Sequence, residues 1–353
     1  MKPNSNSQSP VTNTPVNTSS VNDSATLIDS FNRQIRYLRL SVTDRCNLRC
    51  TYCMAEDMTF LPKAKVLSLE EMALVSRAFV ELGVEKIRLT GGEPLVRNGV
   101  LELAQTLGKI DGLRELVMTT NGVLLDKFAQ PLADAGVSRL NISIDSLRED
   151  RFKTLTRFGG LSDVLTGIQA AKSAGFSKIK LNAVVLKGIN DDEILDLTQY
   201  SVDNGLDISF IEEMPLGEIS SHKRQDTQLE SLTIRQLLET RFKLADSDFS
   251  DAAAGPARYL EIAESNTKVG FISPMSNNFC GSCNRVRVTA EGLLLLCLGN
   301  EHSLDLREII RANPGEIEQL KLAIIGSMVR KPERHYFDPN DITITRHMSA
   351  TGG

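Results

Sequence analysis

Cys46, Cys50 and Cys53 lie within one eight-residue stretch of the sequence. A single loop can bring thiols at this spacing around one metal centre, and neither a cysteine nor a histidine follows in the next hundred residues. A cubane iron–sulfur cluster held by cysteine normally takes four thiolates. Three would leave one iron open, and an open iron can bind a small molecule and react with it.

Two other uses of these cysteines are weighed against a cluster. A structural zinc site usually pairs one Cys-x2–4-Cys with a second pair of Cys or His, and this stretch offers the Cys50–Cys53 pair without a matching second one. Disulfide bonds need an oxidising compartment, of which the sequence gives no sign. Because soft thiolates select zinc or iron–sulfur, the spacing favours a cluster, with zinc and redox-active thiols as the alternatives.

A second group of cysteines, Cys280, Cys283 and Cys297, again has no fourth thiol nearby. Taken alone, this group fits zinc and iron–sulfur about equally well. Beside the first group, it favours a second [4Fe–4S] cluster that also has an open iron.

The composition limits the classes of protein to consider. The chain has 353 residues, with 40 Lys and Arg against 45 Asp and Glu and a net charge of −5. It therefore lacks the basic excess of nucleic-acid binders, and no apolar run is long enough to span a bilayer. No charged and then apolar leader is visible, so a cytoplasmic protein is expected. Residues 1–30 are poor in large apolar side chains, which predicts a disordered tail.

From Ile35 onward, β-rich runs alternate with helical patterns, as is typical of βα units around a parallel sheet. Strands are predicted at 35–42, 86–90, 115–119, 138–144, 178–185 and 207–212. Helices are predicted at 69–82, 98–109, 124–135, 148–155, 161–174 and 191–204. Ser68 and Glu71 form a capping box at the start of the first helix, and Gly83 ends it. Residues 217–258 are expected to be largely irregular.

The fold class that follows is α/β, an incomplete (β/α)6 TIM-like barrel over residues 31–216. Residues 217–353 would form an α+β extension that carries the second cluster and binds substrate. The predicted strands alternate polar and apolar residues, whereas strands buried on both faces of a parallel sheet are continuously apolar. With helices covering the apolar side, the polar side chains should face a wet lumen.

Arg39, Arg88 and Lys180 belong to this polar face. Burying them is costly unless an anion enters with them, which predicts a site for a nucleotide triphosphate or another phosphorylated small molecule. Cations that face solvent at strand ends are the alternative. Arg285 and Arg287 alternate with valines on a strand after the second cysteine group, so both should point the same way, toward the barrel mouth.

Five motifs follow the carboxyl ends of predicted strands, where barrel enzymes gather catalytic groups. They are the Cys46–Cys53 loop, Gly91-Gly92-Glu93-Pro94, Thr119-Thr120-Asn121-Gly122, Ser143-Ile144-Asp145 and Glu212-Glu213-Met214-Pro215. Neither a Walker loop nor G-x-G-x-x-G occurs. The closing Gly352-Gly353 could thread into a narrow space, although a frayed end is the simpler interpretation.

The order of these motifs, from Arg39 through both cysteine groups to the terminal Gly-Gly, resembles the GTP 3′,8-cyclase family of radical S-adenosylmethionine (SAM) enzymes, which begin molybdenum-cofactor biosynthesis. The resemblance covers residue 31 to the end. It implies two [4Fe–4S] clusters, one whose open iron chelates SAM, on Cys46, Cys50 and Cys53, and one whose open iron contacts guanine, on Cys280, Cys283 and Cys297. The SAM site would be lined by Tyr52, Gly92, Ser143 and Met214. GTP would be bound by Arg39, Arg88, Thr119, Lys180, Arg285 and Arg287.

The catalytic residues implied by the resemblance are Cys46, Cys50, Cys53, Arg285 and Arg287, and the Gly-Gly tail would reach into the active site. Reductive cleavage of SAM would give a radical that removes hydrogen from C3′ of GTP, and the ribose radical would close on C8 of guanine. The implied partners are GTP, an electron donor such as flavodoxin, and a downstream cyclic pyranopterin monophosphate synthase. No nucleic-acid or membrane partner is expected, and the chain would be a monomer or homodimer.

Two other interpretations stay open. A radical SAM enzyme that modifies a peptide with auxiliary clusters would usually have a longer C-terminal array of cysteines than this chain has. A non-catalytic iron–sulfur or zinc protein would instead hold a centre that is fully ligated by the protein.

Overall fold

The computed structural model describes residues 26–217, 219, 222, 224–247, 252–338 and 344–352. Its twelve strands are β1 Tyr37–Ser41, β2 Lys86–Thr90, β3 Glu115–Thr120, β4 Val137–Ser143, β5 Ile179–Val184, β6 Asp207–Ile211, β7 Leu244–Asp246, β8 Arg258–Ile262, β9 Lys268–Ile272, β10 Arg285–Val288, β11 Leu293–Leu295 and β12 Ser303–Asp305. Its α-helices are α1 Leu69–Glu81, α2 Val100–Leu107, α3 Leu125–Asp134, α4 Glu149–Thr156, α5 Leu161–Ser173, α6 Ile194–Asn204, α7 Arg224–Thr227, α8 Ser231–Glu239, α9 Leu306–Ala312, α10 Ile317–Ser327 and α11 Met348–Thr351.

All twelve strands belong to one sheet, in the order β12-β11-β10-β1-β2-β3-β4-β5-β6-β9-β8-β7. Strands β1 to β6 pair in parallel in chain order, and helices connect them. Strand β10 adds in parallel beside β1, and β9 adds in parallel beside β6. The remaining pairs, β10–β11, β11–β12, β7–β8 and β8–β9, are antiparallel. This α/β architecture with a parallel sheet is consistent with the predicted TIM-like barrel.

The first six strands and six helices are confirmed to within three residues at each end. The capping box is also present, because Ser68 accepts from the Glu71 amide while the Glu71 side chain accepts from the Ser68 amide. Gly83 follows the helix with φ of 90°, where a residue without Cβ is favoured.

Polar and apolar residues alternate along the strands, so the two faces of the sheet differ in character. Leu38, Leu40, Ile87 and Leu89 are fully buried on the apolar side with the residues of α1, including Phe79. The polar residues of the same strands lie on the opposite face, which lines the cavity described below.

Two expectations about the chain outside the barrel need correction. The described residues of 217–258 include regular elements, because they contain α7, α8 and β7, and Ile234 and Leu238 of α8 are fully buried. These two residues are one helical turn apart and give α8 a narrow apolar stripe, which the many polar neighbours hide in a composition analysis.

The tail that was predicted over residues 1–30 also ends earlier. Residues 1–25 of it lie outside the described residues. Residues 26–30 belong to the fold, since Leu27 is buried and its amide donates to the carbonyl of Leu82 at 3.1 Å. Of the helices within the described ranges, none has both the length and the apolar character needed to cross a bilayer.

Candidate active site

The sheet surrounds a cavity of about 280 Å³, measured as the volume open to the centre of a water-sized sphere. Each site residue predicted from the sequence lines it, and both cysteine groups open onto it. These residues are Arg39, Cys46, Cys50, Tyr52, Cys53, Arg88, Gly92, Thr119, Ser143, Lys180, Met214, Cys280, Cys283, Arg285, Arg287 and Cys297. Gly352 lines the cavity too, whereas Gly353 lies outside the described residues.

The first cysteine loop is held by the C-terminal end of α4. The Arg49 amide donates to the Thr156 carbonyl and the Thr51 amide to the Leu155 carbonyl, each at 2.9 Å. Within the loop, the Cys53 amide donates to the Cys50 carbonyl at 2.9 Å, which forms a tight turn. These bonds fix the backbone on which the three thiols are mounted.

The Gly91-Gly92 pair packs directly against the segment before this loop. The Gly92 amide donates to the Thr43 carbonyl and the Glu93 amide to the Arg45 carbonyl, both at 2.8 Å. A Cβ on Gly92 would overlap the carbonyls of Asp44 and Arg45, so only glycine permits this approach. The pair therefore sets the distance between β2 and the cysteine loop.

Glu93 joins two of the motifs. Its carboxylate accepts from the Asn121 amide at 2.7 Å, from the Thr120 hydroxyl at 2.8 Å and from the Leu95 amide at 3.0 Å. Burial raises the pKa of Glu93 to about 7, although these three donors favour the charged form. Glu93 thus serves as the buried connection between the ends of β2 and β3.

Asp145 has a similar place beside the cysteine loop. It accepts from the Tyr52 hydroxyl at 2.7 Å and from the Val184 amide at 2.8 Å. Burial raises the pKa of Asp145 to about 6, despite both hydrogen bonds. The carboxylate therefore orients Tyr52, which stands between two cysteines of the loop.

Arginines from three adjacent strands form the cationic wall of the cavity. In the strand register, Arg39 of β1 lies between Arg88 of β2 and Arg287 of β10. Burial lowers the pKa of Arg39, and nearby Arg287 and Arg88 lower it further. Burial and the charge of Arg285 likewise lower the pKa of Arg287. Charges confined in this way favour the entry of an anion.

Tyr37 also lines the cavity, and sequence reasoning did not assign it to the site. Its buried hydroxyl accepts a hydrogen bond from Arg88 Nε, and its ring lies 5.4 Å from Lys86 Nζ. Burial opposes ionisation of Tyr37, but the charges of Arg88, Arg39 and Lys86 outweigh it and lower its pKa to about 7. Its alternation with Arg39 on β1 was the available signal.

The second cysteine group is assembled from more distant parts of the chain. Cys280 begins a single helical turn before β10, Cys283 directly follows that turn, and Cys297 follows β11. Arg33 donates to the Cys280 carbonyl at 2.8 Å and forms an ion pair with Asp29 at 2.6 Å. The segment that precedes β1 therefore supports the second cysteine group.

The donor chemistry of both cysteine groups fits an iron–sulfur cluster. All six cysteines are free thiols, so neither group is consumed in disulfides. Each group presents three thiols to the cavity, and soft thiolates are the ligands that iron–sulfur clusters take.

Gly352 enters the cavity beside β2. It has φ of 78°, its carbonyl accepts from Arg39 Nη2 at 3.3 Å, and a Cβ there would overlap Thr90. We expect Gly352→Ala to displace the C-terminal segment, because left-handed backbone costs an L-residue roughly 1–2 kcal/mol before the overlap is counted. The ratio of chains with a docked segment to chains with an undocked one should fall by a factor of about 5–30.

The measurement for Gly352→Ala uses the reaction that the sequence resemblance implies: the ratio of nucleotide product to cleaved SAM should fall. Gly326→Ala is the matched control, because Gly326 lies within α10 and a Cβ there meets nothing within 4 Å. Equal ratios in wild type and both variants would contradict a role for the docked segment.

Comparisons with known proteins agree with this geometry. Residues 40–200 match the family described as the radical SAM superfamily, and residues 206–337 match the family described as Molybdenum Cofactor Synthesis C. SuiB from Streptococcus suis, solved with bound S-adenosylmethionine, is similar with a TM-score of 0.57 and 16% identity, over 82% of this chain and 69% of that one. That likeness concerns the fold alone.

Curated relatives are much closer in sequence. A GTP 3′,8-cyclase of Pseudomonas putida is 58% identical over 333 residues, which cover 94% of this chain and 99% of the relative. A GTP 3′,8-cyclase of Saccharophagus degradans is 58% identical over 330 residues, covering 93% and 99%. With more than half of the residues identical over nearly the whole of both chains, this chain belongs to the GTP 3′,8-cyclase family of radical SAM enzymes.

Proposed function

We propose that this chain converts GTP to (8S)-3′,8-cyclo-7,8-dihydroguanosine 5′-triphosphate by radical SAM chemistry, the first step of molybdenum-cofactor biosynthesis. One observation carries the proposal. Two groups of three cysteines open onto the same cavity, and a wall of cations lies between them. A triphosphate and a reactive centre can therefore meet in one enclosed space.

The first cysteine group would hold the [4Fe–4S] cluster and, through its open iron, SAM. Tyr52, Gly92, Ser143 and Met214 would line the SAM site, and each of them faces the cavity. When bound and reduced, the cluster would supply the electron that cleaves SAM and so starts the radical chemistry. The protein contributes the rigid loop, which the ends of β2 and α4 position.

The second cysteine group would hold an auxiliary [4Fe–4S] cluster with an open iron for the guanine base. Arg285 and Arg287 lead away from it along β10 and would neutralise phosphate charge with the cations of β1 and β2. Thr119 would add a hydroxyl and Lys180 an ammonium from the strands beyond. A guanine held at one end and a triphosphate held along the wall would fix the ribose between them.

The finer architecture is part of this proposal. Residues 31–216 would form a (β/α)6 partial barrel, and residues 217–353 would form an extension that carries the auxiliary cluster. The pairing of β10 with β1 supports this arrangement, because it makes the extension part of the cavity wall. An external reductant of the flavodoxin type, a downstream cyclic pyranopterin monophosphate synthase and a monomeric or homodimeric state are also proposed. The six free thiols favour a reducing compartment such as the cytoplasm.

The experiment is 5′-deoxyadenosine production by the anaerobically reconstituted chain, given dithionite and SAM, with and without GTP. We expect production to rise with GTP and a cyclised guanine product to accumulate. Cleavage that is indifferent to GTP would contradict the substrate assignment and favour peptide modification. No cleavage by cluster-loaded protein would favour a non-catalytic role.

Lys180→Met tests the cationic wall. Lys180 Nζ lies 3.1 Å from the Tyr259 hydroxyl and faces the cavity. A hydrogen bond to a charged group contributes about 1.5–3 kcal/mol, so GTP should bind roughly 10- to 150-fold more weakly. Lys178→Met is the matched control, because Lys178 is exposed just before β5. Equal GTP affinities in a calorimetric titration of both variants would contradict the proposed wall.

A further inference from the structure

Lys331 is a buried lysine beside the second cysteine group, and sequence reasoning gave it no role. It follows the short helical turn Met328–Arg330 after α10 and is only 2% exposed. Its ammonium lies 2.6 Å from the Leu296 carbonyl, 3.1 Å from the Arg285 carbonyl and 3.6 Å from Cys283 Sγ. An ammonium has three donors, so these three contacts use all of them.

The contacts connect the parts of the second cysteine group. Cys283 is one of its thiols, Leu296 directly precedes Cys297, and Arg285 begins the strand that adds a cation to the cavity. One side chain from the turn after α10 therefore contacts both the segment 283–285 and the end of β11, next to Cys297. Its removal would leave two buried carbonyls without this donor, which is costly.

The charge of Lys331 also needs an explanation. Within the described ranges, no aspartate or glutamate forms an ion pair with it, and nearby Asp29 is already paired with Arg33 at 2.6 Å. A buried cation without a carboxylate partner is unfavourable. The thiolate of Cys283 supplies the compensating negative charge, and a cubane on three thiolates would carry roughly one net negative charge in its resting state.

The first cysteine group has cations nearby, since the charge of Arg49 acts on Cys46 and that of Arg224 on Cys53, but these arginines donate their hydrogen bonds to backbone carbonyls and not to the thiols. Among the described residues, the donors to Cys46 Sγ are neutral: the Leu48 amide at 3.4 Å and the Asn121 side-chain amide at 3.8 Å. The reduction potential of an iron–sulfur cluster depends on net charge and on hydrogen bonds to its sulfurs. The two cysteine groups thus differ in whether a charged side chain donates a hydrogen bond to a thiol, and this difference should separate the reduction potentials of the two clusters.

We propose that Lys331 is a positioning residue that holds Cys283 and the backbone next to Cys297 in place and raises the reduction potential of the second cluster relative to the first. This inference rests on the proposed auxiliary cluster. The ammonium favours the reduced, more negative cluster through its charge, and it orders the thiolate through its hydrogen bond.

The test compares Lys331→Met, Lys331→Gln, Lys331→Arg and Arg330→Gln in the full-length, reconstituted chain. Iron content is measured first, and the midpoint potentials of both clusters are then followed by electron paramagnetic resonance. Lys331→Met should shift the potential of the second cluster to more negative values and leave the first unchanged. Lys331→Arg keeps the charge and should restore most of the shift. Arg330→Gln removes an exposed charge one residue away and should shift neither.

The outcomes separate this inference from the proposed function. Unchanged potentials and full iron content in Lys331→Met would overturn it. If Lys331→Met does not retain the second cluster, the iron content of two further variants decides the matter. Loss of the cluster in Lys331→Gln with its retention in Lys331→Arg supports a role for the charge of residue 331. Loss of the cluster in both variants overturns the inference. A wild-type chain with only about four irons would overturn the auxiliary cluster, and the role of Lys331 with it.

Discussion

Replacing Cys50 by serine is expected to reduce 5′-deoxyadenosine formation to background. Cys50 is the central thiol of the loop and lines the cavity with Cys46 and Cys53. A hydroxyl is a harder and weaker ligand than a thiolate for an iron–sulfur cluster. Two remaining thiols would not retain the cluster, so the open iron that binds SAM would be lost and the chain would lose about four irons.

The measurement is deoxyadenosine by chromatography after anaerobic reconstitution, together with iron per chain. The backbone around Cys50 should be unaffected, because the hydrogen bonds that fix the loop use main-chain atoms of Arg49, Thr51 and Cys53. An unaltered circular dichroism spectrum of the variant controls for folding. Normal deoxyadenosine formation by this variant would refute the assignment of the loop to the SAM-binding cluster.

Replacing Cys283 by serine is expected to separate SAM cleavage from cyclisation. Cys283 belongs to the second group, in contact with Lys331 and next to the strand that begins at Arg285. Loss of this thiolate would remove the auxiliary cluster, while the first cysteine loop and its anchors on α4 would stay intact. SAM cleavage should therefore continue at a reduced rate, whereas the cyclised product should fall to background.

The Cys50 and Cys283 variants serve as each other's controls. Each should lose about four irons, but only the Cys50 variant should lose deoxyadenosine formation. Full cyclase activity in the Cys283 variant would count against a second cluster that binds substrate. Loss of SAM cleavage to background in both variants would indicate that the two cysteine groups form one interdependent unit.

Much of the fold could be predicted because it depends on local patterns. The period of two along β1 to β6 and the amphipathic helices between them are visible in any short window of sequence. The capping box at Ser68 is equally local, and it is present as predicted. By contrast, α8 was missed, because its short apolar face lies within a stretch of the chain that is otherwise rich in polar residues.

The candidate site divides in the same way. Three local features of the sequence predicted residues that line the cavity. They are the spacing of the cysteines, the alternation of Arg39 with apolar residues and the motifs after the strands. The sequence did not indicate that β10 would join the sheet beside β1 and place Arg287 next to Arg39. Strand pairing between segments almost 250 residues apart depends on the free edge that β1 presents once β1 to β6 have paired, and no local pattern encodes that edge.

The partners of buried charges were likewise decided by the tertiary structure alone. Glu93 and Tyr37 were visible as residues, but their hydrogen bonds to Asn121 and Arg88 arise only when neighbouring strands meet. Lys331 carried no sequence signal at all, because a lysine in a polar segment is ordinarily exposed. The sequence by itself determined which atoms can carry the chemistry, since ligand type and spacing are local properties. Only the tertiary structure decided which charges surround those atoms, because that depends on long-range packing.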